Sequence, residues 1–269
     1  IQLPPNFSAE SDEQREKLIR QRQIYYAMVE NLDTNVGRMR ALLEAEGLAD
    51  DTIVVFLADH GELLGAHGLV SKQRPWEESV GVPLIVYDPR RPERAGTVLA
   101  DPTCTEDLFP TFLGLTGLEP RDPLPGTDLS HLVRGDEELL ARDGVMLEFV
   151  AELRPGVPFY DEVWRGFRSR RYKYTVRGDK FGAKPWQLFD LEADPWEMRN
   201  LIDDEAHRTT ATQHHHWLRQ RMEETLDWVK FLAPEDARLV WVRAEGTPWK
   251  AICWRFGVAR ATAHRRWQY

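Results

Sequence analysis

Apolar residues recur at three- and four-residue steps through residues 9–48. Tyr25, Val29, Leu32, Val36, Met39 and Leu43 fall on one side of a helical wheel. The spacing predicts a long helix that stops at Gly47, with Gly37 as a weak point inside it. The pattern then changes. Residues 52–58 (TIVVFLA) and 82–87 (VPLIVY) are short, unbroken apolar runs, as expected of strands buried on both faces. Residues 110–118 (PTFLGLTGL) read as a short helix with a glycine stop. Helix, strand, loop, strand, helix is the rhythm of an α/β sheet. From Gly144 onward, runs at 145–151, 164–170, 172–176 and 187–190 predict short strands of a small antiparallel subdomain. Helical periodicity returns over 207–232, and Pro234 marks a boundary.

Composition narrows the class. The chain has 269 residues, 42% hydrophobic and 29% charged, which is ordinary for a globular protein. No run of about eighteen apolar residues occurs, so no helical membrane span is expected. Two cysteines, Cys104 and Cys253, exclude a disulfide framework and a cysteine-rich zinc site. No leader is visible after Ile1. The net charge of −9 divides unevenly: residues 235–269 carry seven Lys and Arg against three acids, +4, and the rest carries −13. Such asymmetry can mark a nucleic-acid-binding appendage.

The chemistry concentrates after the first apolar run. Asp59 and His60 stand at its C-terminal end, where open α/β sheets place their sites. A carboxylate and an imidazole there can share a divalent metal. Lys72 follows after a glycine-containing loop. A cation beside a metal suits an anionic substrate, because both stabilise negative charge on oxygen. From Asp59-His60-Gly61 alone, ordinary turn residues and a structural histidine remain the alternative.

The longer string shifts that balance. Ala58-Asp59-His60-Gly61-Glu62, Gly65-Ala66-His67-Gly68, Ser71-Lys72, Trp76-Glu77-Glu78-Ser79 and Val82-Pro83-Leu84-Ile85-Val86 keep order and spacing. So do Asp107-Leu108-Phe109-Pro110-Thr111, Arg170-Arg171-Tyr172-Lys173-Tyr174, Leu188-Phe189-Asp190-Leu191-Glu192-Ala193-Asp194-Pro195, Glu197 and Asn200-Leu201. Together they resemble the sulfatase family of the alkaline phosphatase superfamily, which includes choline sulfatases, arylsulfatases and phosphonate monoester hydrolases. The resemblance covers roughly residues 1–232.

The resemblance implies a metal-dependent sulfuric ester hydrolase. It implies that Asp59 and His60 match the late metal-ligand pair, for calcium, magnesium or manganese, and that Lys72 matches the lysine contacting the sulfate or phosphonate group. His67, in the intervening loop, is a candidate substrate contact. The family's nucleophile is a formylglycine hydrate made from Cys or Ser in a C/S-x-P-S-R motif, and no such motif occurs here. Gly81 stands where many members carry Arg. The chain thus corresponds to the C-terminal part of the catalytic α/β domain (1–143), the α+β subdomain (144–233) and a foreign tail (234–269). Formylglycine is expected in an N-terminal part outside it. An uncovered sheet would favour self-association.

The tail has a pattern of its own. Thr247-Pro248 starts one helix, Gly257-Val258 makes a turn, and 259–269 form a basic second helix. This is similar to a DNA-binding helix-turn-helix, with Arg260, Thr262, His264 and Arg265 as candidate DNA contacts. A DNA-binding or regulatory protein on a degenerate sulfatase scaffold is therefore the rival reading. Two other clusters are expected to be solvated. His214, His215 and His216 cannot converge on one ion from a helix, and the Arg168, Arg170, Arg171, Lys173 run fits an exposed strand face.

Overall fold

The computed structural model describes residues 2–121, 123–136, 140–149, 163–178 and 183–227. Along the chain these form α1 (Asp12–Ala45), β1 (Val54–Leu57), α2 (Glu77–Val80), β2 (Leu84–Tyr87), α3 (Leu108–Thr116), α4 (Ser130–Arg134), β3 (Val145–Phe149), β4 (Trp164–Arg168), β5 (Tyr172–Arg177), β6 (Lys184–Asp190) and α5 (Arg208–Asp227). They divide into two compact units. The first draws on Ile1–Leu99, Leu129–Leu140 and Trp196–Met198, and the second on Ala100–Asp128, Ala141–Pro195 and Arg199–Tyr269.

In the first unit, α1 begins three residues later than its periodicity suggested. Ser11 takes the N-cap in extended conformation and its Oγ accepts from the Gln14 N–H. Asp12 and Glu13 then sit in the first turn, where the helix dipole favours negative charge. Gly47, at φ +69°, follows the C-terminal end, and Gly37 is carried within the helix. The predicted apolar face is only partly covered: Leu18 is buried, while Val29, Leu32 and Met39 stay exposed.

Strands β1 and β2 form where the apolar runs place them, but they pair antiparallel, Val54 opposite Tyr87 and Leu57 opposite Leu84. They are not buried on both faces. Leu57 on one face and Ile85 and Tyr87 on the other are exposed. Continuous hydrophobicity reports the covering a strand is suited to, and among the described residues that covering is incomplete.

The second unit holds the antiparallel meander β3-β4-β5-β6, with all four predicted strands present. Its core is Phe167, Tyr174, Val176, Leu188, Leu201 and Leu218, closed by α5 through Trp217, whose ring lies 5.5 Å from that of Phe167. Here both solvated-face expectations are corrected in part. Lys173 is fully buried, whereas Arg170 and Arg171 are exposed as expected, though paired with Asp101 and Asp190 at 2.6 Å each. His214 is buried, between Ser169 Oγ (2.9 Å) and the Thr210 carbonyl (2.8 Å), and His215 meets the Tyr174 hydroxyl at 3.0 Å. His216 is exposed as expected, and the prediction that the three histidines do not converge holds, because adjacent helical positions face different neighbours. Charged and aromatic side chains on this sheet find partners from α5 and the loops, which local alternation does not reveal.

Much of the 188–201 string proves to be architectural. Leu188 and Leu201 are core residues, the Asp190 carboxylate receives Arg171, and Asn200 Oδ1 accepts from the Leu188 and Ile202 N–H groups at 2.9 and 3.1 Å.

Candidate active site

Asp59 follows directly on β1, and the loop from it to Trp76 is a chain of tight turns in the first unit. Leu64, His67, Ser71 and Gln73 all have positive φ, as do Gly65 and Gly68. The loop is tied down at several points. Leu63 N–H donates to Ser71 O at 2.9 Å, Ser8 N–H donates to Gly65 O at 3.0 Å, and Arg22 from α1 donates to Leu64 O at 2.9 Å. Leu63 and Ala66 are wholly buried beneath it. The Glu62 carboxylate accepts from the Ser71 N–H, which fixes the residue preceding Lys72.

The three residues expected from the sequence meet. His60 N–H donates to Asp59 Oδ1 at 3.0 Å, and His60 Nδ1 lies 2.8 Å from the Gly61 carbonyl. A carbonyl only accepts, so Nδ1 carries the hydrogen and Nε2 keeps its lone pair. That nitrogen stands 3.6 Å from Asp59 Oδ2 and accepts from the Lys72 ammonium. Asp59 is 89% exposed at its side chain and His60 38%, so the pair opens to solvent.

This geometry suits a metal. Ligand bonds of about 2.0–2.2 Å put adjacent donors roughly 3 Å apart, and a small closure of the 3.6 Å gap brings Nε2 and Oδ2 to that spacing. The second ring nitrogen is held by a backbone carbonyl, the usual support for a metal-binding histidine.

His67 does not stand in solvent as a polar loop residue would. Its ring stacks on Trp76 at 4.8 Å, and its Nε2 lies 3.1 Å from Asn6 Nδ2 and 3.9 Å from Glu78 Oε2. Asn6, Glu78 and Glu197 around it were not singled out from the sequence for any chemistry. Glu78 and Glu197 lie too far apart along the chain for any spacing rule to join them.

The chain is similar to known proteins over much of its length. A family model described as Sulfatase matches residues 2–118, and one described as N-sulphoglucosamine sulphohydrolase, C-terminal, matches residues 65–224. The chain is 32% identical over 232 residues to an ulvan-active sulfatase of Formosa agariphila, covering 85% of this chain and 42% of that protein. It is 33% identical to a choline-sulfatase of Rhizobium meliloti, covering 72% of this chain and 35% of the relative. The crystal structure of a phosphonate monoester hydrolase of Agrobacterium radiobacter superposes with a TM-score of 0.69 at 30% identity, covering 80% of this chain and 44% of that one. The fold is thus part of the alkaline-phosphatase-like α/β fold of sulfatases. The chain belongs to the sulfatase family, and it spans about two fifths of the length of these curated relatives.

The tail stands apart. Residues 203–269 match a domain of unknown function, DUF6362. Arg260, Thr262, His264 and Arg265 lie outside the described residues, and none of the comparisons supports DNA binding. Among the described residues no helix is long and apolar enough to cross a membrane.

Proposed function

We propose that the chain supplies the metal-and-lysine part of a sulfatase active site, acting on a sulfate or phosphonate ester together with a nucleophile from outside these 269 residues. The observation that carries this reading is the convergence of Asp59 Oδ2, His60 Nε2 and Lys72 Nζ at the end of β1. Asp59 and His60 would hold a calcium, magnesium or manganese ion, which supplies Lewis-acid polarisation of an ester oxygen. The Gly61 carbonyl orients the imidazole so that its lone pair faces the ion. The Lys72 ammonium is a mobile point charge beside that position. It suits the oxygens of a tetrahedral anion, or the leaving oxygen as negative charge develops there.

The missing component is chemical. No Cys or Ser here begins an x-Pro-Ser-Arg sequence, so the family's formylglycine has no precursor in this chain. A metal and a lysine stabilise charge but do not attack sulfur. The names of the relatives support sulfate or phosphonate monoesters as the substrate class. The exposed apolar residues of α1, β1 and β2 support self-association when the chain is alone.

The test is an assay of the purified chain, with added manganese or calcium, on 4-nitrophenyl sulfate. No turnover above buffer is expected. Hydrolysis that co-purifies with the chain and disappears in Lys72→Ala would contradict the reading.

A further inference from the structure

We propose that Glu197 is a positioning residue for the Asp59–His60 pair, acting on it through α2. The inference rests on the proposed reading of that pair as metal ligands. Glu197 belongs to the string that keeps order and spacing in the sequence. Its neighbours Leu188, Asp190, Asn200 and Leu201 serve the second unit, whereas Glu197 lies in the short segment Trp196–Met198 of the first. It is 3% exposed, and its backbone is left-handed at φ +54°. A residue with a Cβ is costly in that region and stays there only where its surroundings hold it.

The side chain is aimed at the start of α2. Glu197 Oε2 accepts from the Glu77 N–H at 2.7 Å. Glu77 is the first residue of α2, and the N-cap is Trp76, whose indole has no acceptor to offer the helix. A carboxylate 120 residues away therefore takes the place of a local cap. Asn6 ties the same two pieces, with its Nδ2 2.6 Å from Glu78 Oε1 and 3.1 Å from the Trp196 carbonyl. A helix of four residues has little stability of its own, so these ties decide whether α2 stays formed.

From α2 the restraint passes to the pair through backbone. Ser79 O accepts from the Gly61 N–H at 2.9 Å, and the Glu78 carbonyl lies so close to Gly61 that no side chain fits there. The Gly61 carbonyl in turn holds His60 Nδ1 at 2.8 Å, which leaves the lone pair on Nε2, 3.6 Å from Asp59 Oδ2. If α2 frays, Gly61 is free to turn. The imidazole then loses the bond that fixes its tautomer and its direction.

The experiment uses the full 269-residue chain labelled with nitrogen-15 histidine. Long-range proton–nitrogen NMR reads the His60 tautomer, and electron paramagnetic resonance reads manganese binding. Three variants are compared with wild type. Glu197→Asn tolerates the left-handed backbone but falls one carbon short of Glu77. Glu77→Pro removes the donor N–H at the helix position that favours proline, after a Trp76 that is already extended. Glu197→Gln keeps an acceptor oxygen at full length. Wild type and Glu197→Gln should hold His60 in the Nδ1–H form and bind manganese alike. Glu197→Asn and Glu77→Pro should each mix the tautomers and weaken binding about tenfold, the low end of what losing a supporting partner costs a metal site. Their double variant should lose no more than either alone, because both break one bond. If Glu197→Asn does not fold, Glu77→Pro and Glu197→Gln carry the test. A His60 tautomer unmoved in Glu197→Asn and Glu77→Pro, additive losses in the double variant, or Glu197→Gln as damaging as Glu197→Asn would each overturn the proposal. A wild-type chain that binds no manganese, or binds it equally after Asp59→Asn, contradicts the metal reading instead, and the tautomer comparison still decides the role of Glu197.

Discussion

At Gly61 a Cβ atom would lie 1.9 Å from the Glu78 carbonyl oxygen, and the Gly61 N–H donates to Ser79 O at 2.9 Å. The glycine that follows His60 thus lets the Asp59–His60 turn press against α2. Gly61→Ala should destabilise the chain by at least about 1–3 kcal/mol, the range for forcing an extra carbon into packed surroundings, as read from urea unfolding midpoints. An unchanged midpoint would mean that the close approach is not maintained. At this scale the sequence was most legible where residues act through local backbone. Asp59, His60 and Lys72 meet because one strand end and one loop present them. His67 was the harder case: a histidine in a polar loop reads as exposed, and only the contacts with Asn6, Trp76 and Glu78 show that it is not.

Element positions followed from periodicity to within a few residues, because caps and glycine stops act locally. Ser11 sets the start of α1, and Gly117, at φ +72°, ends α3. Partners across elements were not legible. Asp107, just before α3, is 1% exposed and receives Arg142 at 2.7 and 2.9 Å, with further bonds from Thr127 and Cys104 N–H groups. Burial pushes its carboxyl up, but Arg142 and those N–H bonds outweigh this and leave it below the ordinary carboxylate range. Arg142→Met leaves that charge uncompensated and should cost about 3–5 kcal/mol, measured by chemical denaturation. A folded pKa below the unfolded value of about 3.9 gives stability that is present above that pH and lost as the pH falls through the folded value.

His214, packed by α5 against the meander, adds a second acid-sensitive term. Burial pushes its pKa down, against the opposing bond to the Thr210 carbonyl. The unfolded imidazole, at about 6.5, takes up a proton first, so this contribution is whole above about pH 6.5 and declines as the pH falls toward the folded value. Wild-type stability should therefore drop between pH 7.5 and 5.5, and His214→Gln should flatten that drop. Equal slopes in both proteins would contradict the assignment.

Across the whole molecule, the basic segment 235–269 lies beyond the sulfatase models, which end at residue 224, and inside the DUF6362 match, which starts at residue 203 within the acidic body. The α/β class was legible because strand and helix periods differ, and the family because its motifs keep order and spacing. The antiparallel pairing of β1 with β2 was not, since an apolar run does not encode the direction of its neighbour. Nor was the exposure of Ile24, Met28, Met39 and Leu42 along α1, or of Ile85 in β2. An apolar surface of this kind favours association, so light scattering at high concentration should show oligomers. A clean monomer would contradict this.

The central claim is that Asp59, His60 and Lys72 are one portion of a sulfatase site whose other groups, the nucleophile among them, come from outside these 269 residues. The most direct measurement joins the chain to the preceding portion of the Agrobacterium radiobacter phosphonate monoester hydrolase, co-expressed with formylglycine-generating activity. Turnover of aryl sulfate and aryl phosphonate is then followed. The account predicts metal-dependent turnover in the joined protein and none in either piece. Asp59→Asn and Lys72→Ala should each lower it by roughly a hundredfold or more, as for other groups that stabilise charge in a transition state. Turnover by the 269-residue chain alone, or a joined protein indifferent to those two substitutions, would contradict it.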